Sequence, residues 1–303
     1  MREPAAVQAL AGGRLHLQHG PIDVVLRAWG AGAAVDRAYR AVVARFGTVL
    51  GELVGEVPEL RKAMGDRPRV EGAVAKRMVA ACAPHRVFVT PMAAVAGAVA
   101  DELLAAMTGA APLDRAFVND GGDIAVHLAE GEAMEIGVAA DFSYGPVPAL
   151  SGRVALRSGD GIGGVATSGC QGRSFSLGIA DSVTVLARDA ARADVAATLI
   201  ANAVDLPGHP AVRRVPARTL DPDSDLGERP VTASVGALTP GEVAAALAAG
   251  RRRAGAMRAE GLITDAALTL RGETVVTGRG RLAARTDGRR TLGHPLRTQQ
   301  EVL

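Results

Sequence analysis

Asn119-Asp120-Gly121-Gly122-Asp123 lies between two apolar runs, Ala116–Val118 and Ile124–Leu128. Paired glycines admit positive φ and let backbone amides approach a ligand, and the flanking Asn and Asp supply polar groups to orient it. The same residues also make a tight hairpin, which is the first reading of the pentapeptide taken by itself. Further on, Gly159-Asp160-Gly161-Ile162-Gly163-Gly164 fits GxGxxG, but VATSG follows it instead of an amphipathic helix, so the dinucleotide-binding context is missing. Thr167, Ser168 and the amide of Gly169 are candidates to hold a phosphate or a flavin edge, against the plainer reading of a glycine turn before a strand. Asp194 and Thr198 stand four apart in an alanine-rich segment, so on a helix they share a face. A carboxylate and a hydroxyl form part of a shell for a hard cation such as Mg²⁺. A local hydrogen bond or a back-bonded helical threonine is the ordinary alternative.

Other residues offer less. Cys170 follows the Thr-Ser-Gly segment and would need a base to act as a nucleophile, but His16, His19, His85 and His127 are remote in sequence. A small buried thiol is the simpler reading. His16 and His19, three apart in a strand, face opposite sides and do not share a metal. Asp221, Asp223 and Asp225 imitate the start of a calcium loop whose twelfth position is Thr232 instead of Glu, so they read as a solvated turn.

The elements that must carry these residues follow from periodicity. Residues 14–29 read as strand, Gly-Pro turn and strand. Val35, Ala38, Val42, Phe46, Val49 and Leu53 recur at helical spacing, which predicts a helix from Ala34 to Val57 that Pro58 ends. Further helices are expected over Gly72–Cys82, Met92–Met107, Ala190–Val204 and Pro240–Ala259, with a short strand at Val87–Val89. From Phe117 to Leu186 short β-like runs alternate with glycine turns. Leu206–Arg229, with four prolines, reads as irregular, and strand signals return at Val231–Val235 and Leu268–Val276. Long helices beside antiparallel strands give an α+β fold. The chain reads as one domain over 1–278 followed by an Arg- and Gly-rich mobile tail, 279–303.

Composition excludes several classes. With 34 basic residues against 32 acidic, and Arg251–Arg253 placed at the end of a helix, no basic stripe for nucleic acid is expected. Aromatic residues make up 3% of the chain, too few for base-stacking platforms. No apolar run approaches the ~20 residues of a spanning helix, so no membrane association is expected. The N-terminus has no secretory pattern, and two cysteines make no disulfide framework, so the expected compartment is the cytoplasm.

Four segments in order resemble the ApbE family, the FAD:protein FMN transferases, over residues 87–200. Thr90-Pro91-Met92-Ala93-Ala94-Val95-Ala96-Gly97-Ala98-Val99-Ala100-Asp101 lines up without gaps on that family's D-L-G-G-I-A-K-G-Y-A-V-D stretch. Asn119–Asp123 resembles its N-x-G-G-D/N turn, and Thr167-Ser168-Gly169 its T-S-G segment. Asp181–Val185 followed by Asp194 and Thr198 is similar to its S-V-T-V…A-D-x-x-x-T ending. The phrases HLQHGPIDVV, FVTPMAAVAGAVAD and SDLGERPV look like the uncharacterised cytoplasmic branch. The resemblance implies an ApbE-like fold of antiparallel strands with packed helices. It also implies Mg²⁺ held by Asp194, Thr198 and the carbonyl of Val95, with FAD across Asn119, Gly121, Gly122, Asp123, Thr167, Ser168 and Gly169. The implied activity is Mg²⁺-dependent FMN transfer to a client protein or cleavage of the FAD pyrophosphate. Ala96 and Ala98 stand where the family has lysine and tyrosine. Cys170–Asp181, with neither His nor Pro, replaces a longer insert of signature H-x-x-D-P-x-T-G, and Arg173 or Ser176 stands where its histidine would be sought. These departures give the alternative of a non-catalytic flavin- or nucleotide-binding accessory protein that has lost transfer chemistry.

Overall fold

A computed structural model describes residues 4–141, 149–172, 174–278 and 282–284. Strands β1 (Ala6–Leu10), β2 (Arg14–His19) and β3 (Ile22–Trp29) form an antiparallel meander. Burial in β3 alternates: Ile22, Val24, Leu26 and Ala28 are buried, while Val25 and Trp29 pack against a second cluster on the other face. Helix α1 (Gly32–Leu60) follows, burying Ala34, Ala38, Val42, Phe46, Val49 and Leu53 on one stripe. Pro58 does not end it. The missing N–H costs one bond in the last turn, and two more helical residues bring Leu60 into the core at 1% exposure.

Helix α2 (Ala73–Cys82) leads into an extended stretch that forms no strand, contrary to the expectation for Val87–Val89. Its Val89 carbonyl instead accepts the Met64 amide. A 3₁₀ turn over Pro91–Ala94 opens helix α3 (Val95–Ala110), which buries Gly97, Ala98, Val99, Ala100, Leu103 and Met107. The combined helical stretch Pro91–Ala110, with mean hydropathy 1.3, is long and apolar enough to cross a membrane by length and composition. Here it is a packed core helix, and its two acids have protein partners: Asp101 meets the start of a later helix and Glu102 pairs with Arg45 and Arg77.

The hairpin β4 (Arg115–Asp120) and β5 (Asp123–Leu128) adds to β3. The chain then leaves for β6 (Ala133–Asp141) and β7 (Ala149–Arg157) and returns as β8 (Gly164–Ser168) and β9 (Ser182–Ala187). Helix α4 (Ala190–Ala203) is followed by β10 (Val212–Pro216), the single turn α5 (Ala217–Leu220) and β11 (Pro230–Val235). The stretch expected to be irregular thus contains a strand that pairs with β11. Helix α6 (Pro240–Ala259) begins on a capping box in which Thr239 and Glu242 satisfy each other's backbone amides. Arg251–Arg253 lie inside α6, before its last turn. Strands β12 (Asp265–Leu270) and β13 (Glu273–Thr277) complete a nine-stranded sheet of order β1-β2-β3-β4-β5-β8-β9-β12-β13.

This sheet divides the molecule. One face carries the helices over a core that includes Leu17, Val24, Phe46, Leu103, Val183 and Ile200. The other is covered by a three-stranded sheet, β14-β7-β6, around Phe117, Ile136, Leu156 and Leu186. Of the expected tail, Leu282–Ala284 form β14, with Leu282 buried in that second cluster. The rest of the tail, and Arg173, lie outside the described residues.

Candidate functional site

Helices α3 and α4 cross at their N-termini, packed over β5 and β8. Asp194, in the second turn of α4, accepts the Gly97 amide at 3.1 Å and is met also by the Ala96 amide, both from the first turn of α3. Val95 is the first residue of that turn. One turn along α4, the Thr198 hydroxyl lies 3.5 Å from Ser168 Oγ on β8. Asp194, Thr198, Ser168 and the opening of α3 are therefore neighbours, although they come from three separated stretches of chain.

The strand residues sort by alternation. In β4 and β5, Asp120 and Asp123 are opposite partners and share a face, in line with Val24 on the helix side. Asp123 accepts the Thr167 amide at 3.3 Å, continuing with a side chain the ladder that β5 and β8 make at Ile124–Val165 and Ala125–Gly164. Burial pushes the Asp123 carboxyl well up, and Asp194 and Asp120 add to it, against the Thr167 amide. Burial likewise raises Asp194; Asp120 and Asp101 push it the same way, and the Gly97 and Ala96 amides oppose them. Three acids thus face one another on the helix side of the sheet.

Not every expected residue joins them. Asn119 pairs across the ladder with Ile124, which belongs to the opposite face, and its Oδ1 accepts the Gly122 amide at 2.9 Å. Its side chain closes the hairpin, whose turn needs positive φ at Gly121 (63°) and Gly122 (111°). Thr167 points away from Ser168, and its hydroxyl meets Thr184 Oγ1 at 2.9 Å. Gly169 is required by packing: a Cβ there would stand 2.2 Å from the Asp181 carbonyl oxygen. The GxGxxG look-alike has two causes: Gly159 and Gly161 adopt positive φ (85° and 71°) in open turns, while Cβ atoms at Gly163 and Gly164 would meet the backbone of Arg188 and Asp189 at 2.6 and 2.2 Å.

The remaining candidates separate as well. Cys170 is half-buried, and burial together with Asp181 raises its thiol, the reverse of nucleophile activation. Cys82 is buried, and its Sγ lies 3.5 Å from the Thr90 carbonyl. His16 bonds Asp23 at 2.9 Å, while His19 packs on Phe46 with ring centroids 6.2 Å apart. Asp221, Asp223 and Asp225 turn to three different partners: the Asp223 amide, Arg61 and the Thr90 hydroxyl.

Asp120 and Asp101 were not singled out from the sequence. Asp120 sat inside the pentapeptide, and strand alternation places it on the face opposite Asn119. Asp101 stands four residues after Gly97, so both share the face of α3 that meets α4. Its carboxylate accepts the Ala190 amide at 3.0 Å and the Ala191 amide at 2.9 Å, and burial pushes its pKa up to about 6 in spite of them.

The donor set fits a hard cation. The groups gathered here are carboxylate and hydroxyl oxygens, of the kind Mg²⁺ prefers, and a cation would offset the repulsion among buried acids. Among the described residues no three His, Cys, Asp or Glu side chains are placed to hold an ion by themselves. An ion here would need hydroxyl or carbonyl oxygens as well.

The sheet flanked by helices on one face and a small sheet on the other, with acids gathered at crossed helix N-termini, defines an α+β protein with one acid-lined candidate site. The model of the family described as AbpE bacteria matches residues 7–276, and the chain belongs to that family. A UPF0280 protein of Methanothrix thermoacetophila is 42% identical over 133 residues, 43% of this chain and 52% of the relative. The UPF0280 protein of Methanopyrus kandleri is 40% identical over 136 residues, 44% of this chain and 51% of the relative. The chain's match thus spans about half the length of these relatives. Among solved structures, an ApbE protein of Thermotoga maritima is similar at TM-score 0.43 and 14% identity, over 67% of this chain and 87% of that one. The flavinyl transferase ApbE of Pseudomonas stutzeri is similar at TM-score 0.41 and 13% identity, over 91% and 95%.

Proposed function

We propose that this protein binds a flavin nucleotide together with a divalent cation and acts at the FAD pyrophosphate, either passing FMN to a hydroxyl of a client protein or releasing it to water. The observation that carries the reading is the meeting of Asp194, Thr198 and the first turn of α3, in a chain whose family match runs from 7 to 276. Asp194 and Thr198 would hold Mg²⁺ with the Val95 carbonyl. Bound there, the cation supplies Lewis-acid stabilisation of charge on the pyrophosphate oxygens. Asp123 and Ser168 would border the nucleotide, with Gly121 and Gly122 keeping the turn open to it. Two unpaired cysteines suit a reducing compartment, and we place the protein in the cytoplasm on that ground.

A second reading has its own support. Ala96 and Ala98 offer no polar side chain beside the site, and in the short strip that ends at Asp181 the Ser176 hydroxyl and Leu177 amide are both tied to Asn202. On this reading the protein binds the nucleotide without turning it over. Incubation of the purified chain with FAD and Mg²⁺ separates the two. FMN release that Asp194→Ala abolishes supports catalysis. FAD-dependent thermal stabilisation with no release supports the accessory role. Neither response would sink the flavin reading altogether.

A further inference from the structure

Each of the two crossed helices begins against an acid supplied by the other. The first turn of α3 gives its Gly97 amide to Asp194 of α4 at 3.1 Å. The first turn of α4 gives its Ala190 and Ala191 amides to Asp101 of α3 at 3.0 and 2.9 Å. The opening amides of a helix have no partner of their own and carry the positive end of its dipole, so each carboxylate serves the other helix as a cap. The two halves are geometrically linked. Gly97 and Asp101 lie one turn apart on α3, Ala190 and Asp194 one turn apart on α4, and the helices touch where a Cβ at Gly97 would stand 2.3 Å from the Ala190 carbonyl oxygen. The local cap of α4, Asp189, takes the Arg192 amide at 2.9 Å and lies outside this pair.

We infer that Asp101 and Asp194 form a reciprocal clasp and that Asp101 is a positioning residue, fixing where Asp194 sits against the first turn of α3. Loss of the Asp101 acceptors lets the start of α4 lift from α3, and Asp194 then leaves the Gly97 amide, which Asp101 itself never touches. The clasp stands on these contacts alone; its functional meaning rests on the proposed role of Asp194 toward a cation.

Amide hydrogen exchange in the full chain, resolved at Gly97 and at Ala190–Arg192, tests it. Asp101→Asn is expected to speed exchange at Gly97 about tenfold or more, as well as at Ala190 and Ala191. Asp189→Ala is expected to speed Arg192 and leave Gly97 as it was. Exchange at Gly97 unchanged in Asp101→Asn overturns the clasp. If that variant does not fold, Asp101→Ser, which withdraws both carboxylate oxygens from the α4 amides, is judged by the same criterion. Mn²⁺ titrated alone reports the positioning role: Asp101→Asn is expected to weaken binding about tenfold, as the loss of a group that orients a ligand does. Unchanged Mn²⁺ affinity beside a deprotected Gly97 overturns that role. A wild-type chain that binds no Mn²⁺ removes the cation reading and leaves exchange at Gly97 to decide the clasp.

Discussion

A buried carboxylate among other acids is unfavourable unless donors or a cation meet it, and at Asp194 the partners are backbone amides. Burial outweighs the two amides, and Asp120 and Asp101 push the same way, so the carboxyl is raised. Asp194→Asn keeps an acceptor for the Gly97 amide and removes one like charge. The metal-free protein should therefore gain stability, by about 1 kcal/mol, while the stabilisation given by millimolar Mg²⁺ disappears. Thermal melts of both proteins with and without Mg²⁺ check this; a variant that is less stable without metal and still responds to it contradicts the role. Part of this site was legible in the sequence. Asp194 and Thr198 are four apart, and helical geometry brings them together whatever the fold. Ser168 was legible only as half of a pair, because the alternation that sends it to Thr198 sends Thr167 to Thr184. Asp101 was not legible, because its partners lie about 90 residues away and exist only once α4 crosses α3.

Among the elements, the glycines show how a local rule gives way to a packing contact. Gly47 and Gly55 lie exposed inside α1, and a Cβ added at either would meet nothing within 4 Å. Gly97 lies in α3 against the backbone of Ala190 at 2.3 Å. Gly55→Ala should stabilise by roughly 0.5–1 kcal/mol, the usual helix-interior difference. Gly97→Ala should cost about 2 kcal/mol or more, because a carbonyl oxygen cannot step aside as a side-chain tip can. Urea unfolding of the two variants should move the midpoint in opposite directions, and equal shifts would remove the close approach from the account. The same contrast governs which elements could be read in advance. Helix α6 was recovered with its limits because Thr239, Pro240 and Glu242 form a start signal of their own. Strand β10 was not, since Pro207 and Pro210 precede it, Pro216 ends it, and its cue is pairing with β11. Strand β1, exposed along nearly all its length, leaves no burial pattern to read.

At the scale of the molecule, the nine-stranded sheet separates two cores, and the helical one is closed where α6 packs on α4 and the α2–α3 connection lies nearby. His85 sits in that connection, 8% exposed, with no hydrogen-bond partner at Nδ1 among the described residues. Burial, reinforced by Arg253 of α6, lowers its pKa from 6.5 to about 4. The fold therefore holds His85 neutral while the unfolded chain takes a proton below about pH 6.5. Its contribution is full above pH 6.5 and is lost as the pH falls from there to about 4, roughly 3 kcal/mol in all. Other groups act in other ranges or senses. Glu52, held low by Arg45, loses its contribution only below the ordinary carboxylate value of 4.5. Asp101, raised to about 6, works against His85, favouring the fold as the pH drops through that value. The wild-type profile is a sum, so the His85 part has to be read as a difference. His85→Leu, similar in volume and without the orphaned nitrogen, should match the wild type within about 1 kcal/mol near pH 8 and exceed it by roughly 2 kcal/mol near pH 4.5. Urea midpoints of the two proteins across that range measure it directly. Parallel profiles would mean that His85 titrates as it does in water, and that the contact between the α2–α3 connection and α6 is looser than the burial of this ring implies.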